Sequence, residues 1–313
     1  MADYPTITGS TYAGEFAGKY ISAALLSAPT IDQGGITVMP NIKHKQVLQN
    51  LTTSGLLADA TCSFDVDGST VSLSEKVLEV FDYQCNMQVC RSIFHSNWQA
   101  SEMGFSSFDE LPKSFEDYLL AYAASKVAAE MEVNIWRGVQ ATSGQFAGLV
   151  TLATADADVN DVTGTTVTAA NVIDELGKIV DSVNTNTNIY AKDDTRIYVS
   201  RNIMAAYVRA LGGFASAGLG ANGVNNEGTM WYGKGAAISF DGIPLFLAEG
   251  LAANTAMAAQ TSNLFFGCSL LSDTQEARVI DVSQYDGSDN VRVIMRMAAG
   301  VEYGIGGDIV LYS

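Results

Sequence analysis

Histidine is the usual proton carrier near neutral pH, and the 313 residues contain two, His44 and His95. His44 stands between Lys43 and Lys45, which reads as a small solvated basic spot, and His95 follows a strand-like run, where a satisfied structural histidine is the plain reading. The run Gly218-Leu219-Gly220-Ala221-Asn222-Gly223 matches the dinucleotide-binding glycine pattern by letter, but that chemistry needs a strand before it and a helix opening after it. Glycine-rich sequence lies on both sides, so it reads as loop. Asp156-Ala157-Asp158-Val159-Asn160 opens like a calcium loop, yet Asp161 stands where the turn needs glycine and Val167 where it needs a bidentate glutamate.

The carboxylate pairs Glu116/Asp117 and Glu130/Glu132 sit too close in sequence to share a helix face and read as solvated. Trp136 and Tyr122, on the same helical run, fit packing better than a ligand cage. Cys62, Cys85, Cys90 and Cys268 show no metal or redox spacing and read as reduced, mostly buried thiols. No nucleophile elbow, phosphate loop or zinc-protease motif occurs. The expected catalytic, cofactor-binding and metal residues are therefore none, and the chain reads as a non-enzyme.

Lys+Arg 17 against Asp+Glu 34 gives a net charge of −17, a surface that repels phosphate and anionic headgroups. With 48% hydrophobic and 16% charged residues the chain can bury a large core. It begins without a secretory signal and holds no apolar run of spanning length, so a cytoplasmic product is expected, and Asn50-Leu51-Thr52 reads as a chance glycosylation match.

Several elements could position these residues. A small-residue helix is expected over 12–27, an arm with a polar segment ahead of it. Alternation over 57–64, the turn Asp65-Val66-Asp67-Gly68, and Val71 and Leu73 read as a thinly apolar hairpin that projects from the body. Strict period two, with Phe81, Tyr83, Cys85, Met87 and Val89 alternating against polar residues, marks a half-buried strand over 80–90. The longest helix runs over 113–137, opened by Pro112 and closed by Gly138 as a left-handed stop, a rod of roughly 36 Å.

Residues 144–164 read as a Gly- and Thr-rich join. Thr168 is expected to cap a helix carrying Val172, Leu176, Ile179 and Val183, and Ser200 to cap another after the strand Ile197-Tyr198-Val199. Residues 212–235 form a long glycine-rich loop, a hairpin follows over 238–246, and strands cover 277–283, 291–302 and 308–312.

The order of these parts over nearly the whole chain resembles the major capsid proteins of tailed bacteriophages with the Hong Kong 97 type fold. The likeness is strongest in Val89-Cys90-Arg91 through Asn97-Trp98-Gln99-Ala100-Ser101-Glu102-Met103-Gly104, in Asn134-Ile135-Trp136-Arg137-Gly138, in Ile197-Tyr198-Val199-Ser200-Arg201-Asn202, and in Phe240-Asp241-Gly242-Ile243-Pro244-Leu245. The resemblance implies an α+β capsid fold. Its N-terminal arm would be residues 1–35, its E-loop region 36–80, its P domain 81–165 with the spine helix at about 113–137, and its A domain 166–270, with closing strands over 271–313.

It further implies a coat protein that assembles into pentamers and hexamers of a phage head, the virion shell around double-stranded DNA. Partners would be further copies of the chain, a scaffolding protein, a portal and decoration proteins, with DNA enclosed but not specifically bound and no membrane contact. Relatives that carry a cleavable scaffolding extension differ from this chain, whose arm helix starts almost at Met1; a separate scaffold, or prior removal of such a segment, is expected. The physics agrees: an arm and a thin hairpin that cannot bury themselves gain contacts from neighbouring copies. An encapsulin-like compartment shell and an acidic carboxylate enzyme are the competing readings.

Overall fold

A computed structural model of the chain describes residues 29–54, 62, 70–90, 113–211, 238–268, 276–282, 285, 287–288 and 290–313. The helices are α1 (Pro29–Asp32), α2 (Lys113–Arg137), α3 (Leu149–Ala155), α4 (Val172–Asn186) and α5 (Arg201–Leu211). The strands are β1 (Thr37–Met39), β2 (Lys45–Ser54), β3 (Thr70–Glu79), β4 (Phe81–Cys90), β5 (Asn160–Val162), β6 (Thr195–Val199), β7 (Ser239–Phe240), β8 (Ile243–Leu247), β9 (Ala256–Gln260), β10 (Leu264–Cys268), β11 (Glu276–Asp281), β12 (Asn290–Tyr303) and β13 (Val310–Tyr312). No described helix is long and apolar enough to cross a membrane.

The chain divides into two compact units, and α2, β4 and β12 contribute residues to both. One unit takes the described residues of Gln84–Ala129 and Gln275–Arg296. In it β11 pairs antiparallel with the first half of β12, from Glu276↔Arg296 to Asp281↔Val291. Leu119 and Ala123 of α2 are buried against Val291, Val293 and Met295, and half-buried Cys85 and Met87 of β4 join them. The alternation read from the sequence is the cause: Cys85 and Met87 share one strand face, and exposed Gln84 and Asn86 the other.

The second unit takes the described residues of Ala28–Tyr83, Glu130–Thr274 and Met297–Ser313. Its six-stranded sheet has the order β5-β13-β9-β6-β8-β7. All of β9 is buried because both sheet faces are covered. Ala256 and Ala258 face a cluster formed with Leu176, Ile179 and Val183 of α4 and with Ile203 and Tyr207 of α5. Met257 and Ala259 face the opposite cluster, with Trp136, Phe146, Leu149 and Tyr198. In the same unit β1 runs parallel to β10, and β10 pairs antiparallel with the second half of β12.

The helix over 113–137, the strand at Phe81–Cys90 and the late strands stand where the sequence puts them. The hairpin at β7–β8 turns on Asp241 (φ 48°) and Gly242 (φ 84°), the paired left-handed conformations that suit a tight two-residue turn. Other expectations need correction. Gly138 is not among the residues with positive φ; it is glycine because a Cβ there would run into the Phe146 carbonyl. Residues 144–164 are not only a join, since α3 and β5 lie within them.

α4 begins after Asn171, not at Thr168, whose backbone N–H and hydroxyl both donate to Asn171 Oδ1 in the turn that precedes the helix. Ser200 does stand just before α5, and its hydroxyl donates to Asn202 Oδ1. Of the cysteines only Cys268 is buried; Cys62 is exposed, and Cys85 and Cys90 are half-buried. Glu132, expected in solvent, is 2% exposed, because α2 carries it into the core beside Trp136. The arm helix over 12–27, the turn at 65–68, His95, the first quoted capsid-like piece beyond Cys90, and the glycine loop with its Gly218–Gly223 match lie outside the described residues.

Candidate functional site

The most distinctive surface of the second unit is the ribbon formed by β2 and β3. The strands pair antiparallel from Lys45↔Glu79 to Ser54↔Thr70 and belong to no larger sheet. Side chains alternate across such a ribbon, so Val47/Val77, Gln49/Glu75 and Leu51/Leu73 share one face. That face is exposed: Val47 is 48%, Leu51 62%, Leu73 57% and Val77 44% accessible. The polar rung between the apolar ones closes on itself, Gln49 Nε2 donating to Glu75 Oε1 at 3.1 Å. A two-stranded ribbon is at best marginal in water, and one that leaves two apolar rungs in solvent gains stability when something covers them.

The opposite face carries Leu48, Lys76 and Leu78, which grow more buried toward the root. There Leu78 (0% exposed) and Val80 pack with Ile42 and Ala298, and Val80 donates its N–H to the His44 carbonyl. Lys45 Nζ lies 3.1 Å from Glu79 Oε1 on the outer side, with His44 Nε2 3.9 Å away.

Beyond the root, Lys76 anchors this face to the body. Its Nζ lies 2.5 Å from Asp156 Oδ2 and 3.8 Å from the centre of the Tyr303 ring. Tyr303 donates its hydroxyl to the same carboxylate oxygen at 2.8 Å. The Lys76 ammonium, with the Asp158 N–H and the Tyr303 hydroxyl, holds the Asp156 carboxyl down at about 2. Burial pushes the Tyr303 phenol up, and the adjacent Asp156 carboxylate adds to the shift. Asp156, read from the sequence as the start of a failed calcium loop, is thus an ion-pair partner.

Past Lys76 the ribbon overhangs a cleft of about 350 Å³, with Leu48 and Asn50 on the ribbon side and Asn263, Phe265 and Ile305 on the body side. Asn263 is already engaged: its amide donates to the Ile305 carbonyl, and its Oδ1 accepts from the backbone N–H groups of Gly304 and Ile305.

A second buried polar group ties the start of the described chain to α2. Glu132 accepts from the Thr30 N–H (3.2 Å), the Thr30 hydroxyl (2.5 Å) and Trp136 Nε1 (3.2 Å). Burial pushes its carboxyl up, and these donors with the Gly250 N–H oppose that shift. Its oxygens are consumed in holding the backbone at Thr30.

The arrangement offers contact and hinge chemistry. Among the described residues no group of three or more His, Cys, Asp or Glu could hold a metal. His44 is mostly exposed, Glu130 is exposed, and Trp136 packs on Tyr198 with ring centres 5.1 Å apart. The sequence reading missed β2, because Lys45–Ser54 mixes apolar and polar residues on both parities; only the spacing of Val47 and Leu51 hinted at a shared face.

No protein-family model matches the chain, and no curated protein matches it in sequence. Its fold does match solved structures along nearly its full length. A chain from the capsid of a native GTA particle aligns with 99% of this chain and 95% of its own, at a TM-score of 0.59 and 14% identity. A chain of Mycobacterium phage Adephagia aligns over 99% and 95% at 0.58 and 11%. One from the capsid of the cyanophage P-SCSP1u aligns over 100% and 92% at 0.52 and 10%. With identities this low the likeness is one of architecture, and the chain has the fold of phage capsid proteins.

Proposed function

We propose that the chain is the repeating, non-enzymatic subunit of a phage head, forming pentamers and hexamers of a shell that encloses double-stranded DNA. The observation that carries this reading is the exposed apolar face of the β2–β3 ribbon, Val47/Val77 and Leu51/Leu73, on a chain whose fold matches capsid chains end to end. Its occupant is a second copy of the chain. In this reading residues 1–35 are the arm, 36–80 the E-loop region, 81–165 the P domain with α2 as its spine, 166–270 the A domain and 271–313 the closing strands. A scaffolding protein, a portal and decoration proteins complete the particle, and its location is the virion. The charge of −17 suits a wall that leaves a packaged polyanion free to move.

Electron microscopy of the purified protein, combined with nuclease protection, tests the proposal. Closed particles that shield DNA are the expected result. A stable monomer or dimer under all assembly conditions overturns it, and particles filled with an enzyme and no genome point to a compartment shell.

A further inference from the structure

The ribbon has a seat, a tether and a space beneath it. The seat is a pair of glycines, Gly267 on β10 and Gly300 on β12, which are cross-strand partners. A Cβ on Gly267 would come within 3.0–3.1 Å of Val80, Ile42 and Leu78, and one on Gly300 would run into the Glu79 carbonyl. The ribbon root therefore lies directly on backbone. The tether is Lys76, on the face that looks toward the body. The space is the cleft below Leu48 and Asn50. From the Leu48↔Lys76 pair the ribbon runs on to Ser54↔Thr70, six further residues on each strand or roughly 20 Å, so a small rotation at the root becomes a large displacement farther out.

We propose that Lys76, Asp156 and Tyr303 form a latch that holds the β2–β3 ribbon at one angle over the cleft, and that opening the latch lets the ribbon swing as a unit about the Gly267–Gly300 seat. Lys76 closes the latch in two ways, by its ion pair to Asp156 and by its ammonium over the Tyr303 ring, and Tyr303 fixes the carboxylate from the other side. Lys76 also offsets the negative charge that Asp156, Asp158 and Glu302 place near Tyr303. Its loss removes both the ion pair to Asp156 and the cation over the Tyr303 ring. The backbone pairing of β2 with β3 does not involve these side chains, so the ribbon stays intact as it moves. The inference deepens the assembly reading: the ribbon angle sets where the apolar face is presented to the next copy, and that consequence alone rests on shell formation.

The test measures the angle on the full-length chain before assembly. Spin labels at Gln49→Cys on the ribbon and at Asn184→Cys, an exposed position of α4, both within the second unit, are placed in a chain whose Cys62, Cys85 and Cys90 are serine, with buried Cys268 retained. Labelled chain is diluted into unlabelled chain, and electron–electron distances are read by pulsed resonance. The parent is expected to give one narrow distribution. Asp156→Asn and Lys76→Met, which remove the charge while keeping most of each side chain's bulk, are each expected to double its width or add a second distance, and the exchanged pair Lys76→Asp with Asp156→Lys to narrow it again.

Unchanged distributions in both single variants overturn the latch. So does loss of the folded body in both, since a latch must be separable from the core. A chain that shows these shifts yet never forms particles would sink the shell reading and leave the latch standing.

Discussion

Gly267 and Gly300 face each other across β10 and β12, and the root of the β2–β3 ribbon rests on the bare backbone that they leave. The two positions differ in what an added methyl would meet. At Gly267 it meets the side-chain ends of Val80, Ile42 and Leu78; at Gly300 it meets the backbone carbonyl of Glu79. Side-chain ends can shift by a few tenths of an ångström, whereas a carbonyl held in a strand cannot.

Gly300→Ala is accordingly expected to cost about 1–3 kcal/mol, and Gly267→Ala less than about 1, because overpacking against fixed backbone forces the larger rearrangement. Urea unfolding of the two variants side by side checks the order. Equal stabilities would show that the ribbon root is not seated as described.

The exposed rungs make a separate expectation. Leu51→Lys with Leu73→Glu replaces a cross-strand apolar pair by one of opposite charge, which keeps the ribbon paired while making its outer face polar. Unfolding free energy of the lone subunit should change by less than about 0.5 kcal/mol, since neither leucine is buried. Particle formation, followed by light scattering, should be lost. Normal assembly of the double variant would remove this face from the interface.

Much of this architecture was legible in the sequence where a single period dominates. Phe81 to Met87 alternates because Phe81 and Tyr83 pack on the cluster of Trp136 and Phe146, and Cys85 and Met87 on that of Leu119 and Ala123, while Asp82, Gln84 and Asn86 meet solvent; α4 shows helical spacing because one side packs on the sheet. β9, by contrast, is Ala-Met-Ala-Ala-Gln, buried on both faces, so it has no contrast to read. The ribbon root was hidden for another reason: Gly267, Gly300, Lys76 and Asp156 lie far apart in the chain, and only the fold brings them together. Glu132 was misread because its buried partners, the Thr30 backbone and the indole of Trp136, carry no charge pattern.

Removing the Glu132 carboxylate tests that cluster. Glu132→Ala leaves the Thr30 N–H and the Thr30 hydroxyl without their acceptor, and Trp136 Nε1 with the Thr30 hydroxyl oxygen alone, in a site that is 2% exposed. Buried donors without acceptors are expensive, and the loss is expected to be about 2–4 kcal/mol. The Thr30 amide should also lose protection from hydrogen exchange, as α1 is freed from α2. A variant as stable as the parent, with Thr30 still protected, would mean that the donors find other partners.

Acid should destabilise the chain chiefly through Asp156 and Glu175, with Asp194, held down first by the Ser262 hydroxyl, acting in the same sense. Asp156 is held at about 2, first by Lys76, and Glu175 at about 2, first by Lys178 and then by the Tyr312 hydroxyl, 2.7 Å away. Their ordinary values are 3.8 and 4.5, so the folded chain binds fewer protons than the unfolded chain between those values and about 2. The stability they provide is complete above the ordinary values and is lost as pH falls through that interval. Buried Glu132 and half-buried Glu302 are pushed up and act in the opposite sense, gaining stability on acidification. Asp156→Asn and Glu175→Gln should therefore each lower the urea midpoint near neutrality and flatten its decline toward about pH 2, with the double variant flattest. Lys178 is nearly half exposed, so added salt should weaken the Glu175 contribution more than that of Asp156, whose partner Lys76 is better covered. An acid limb of unchanged slope in both variants would assign the acid sensitivity to other groups.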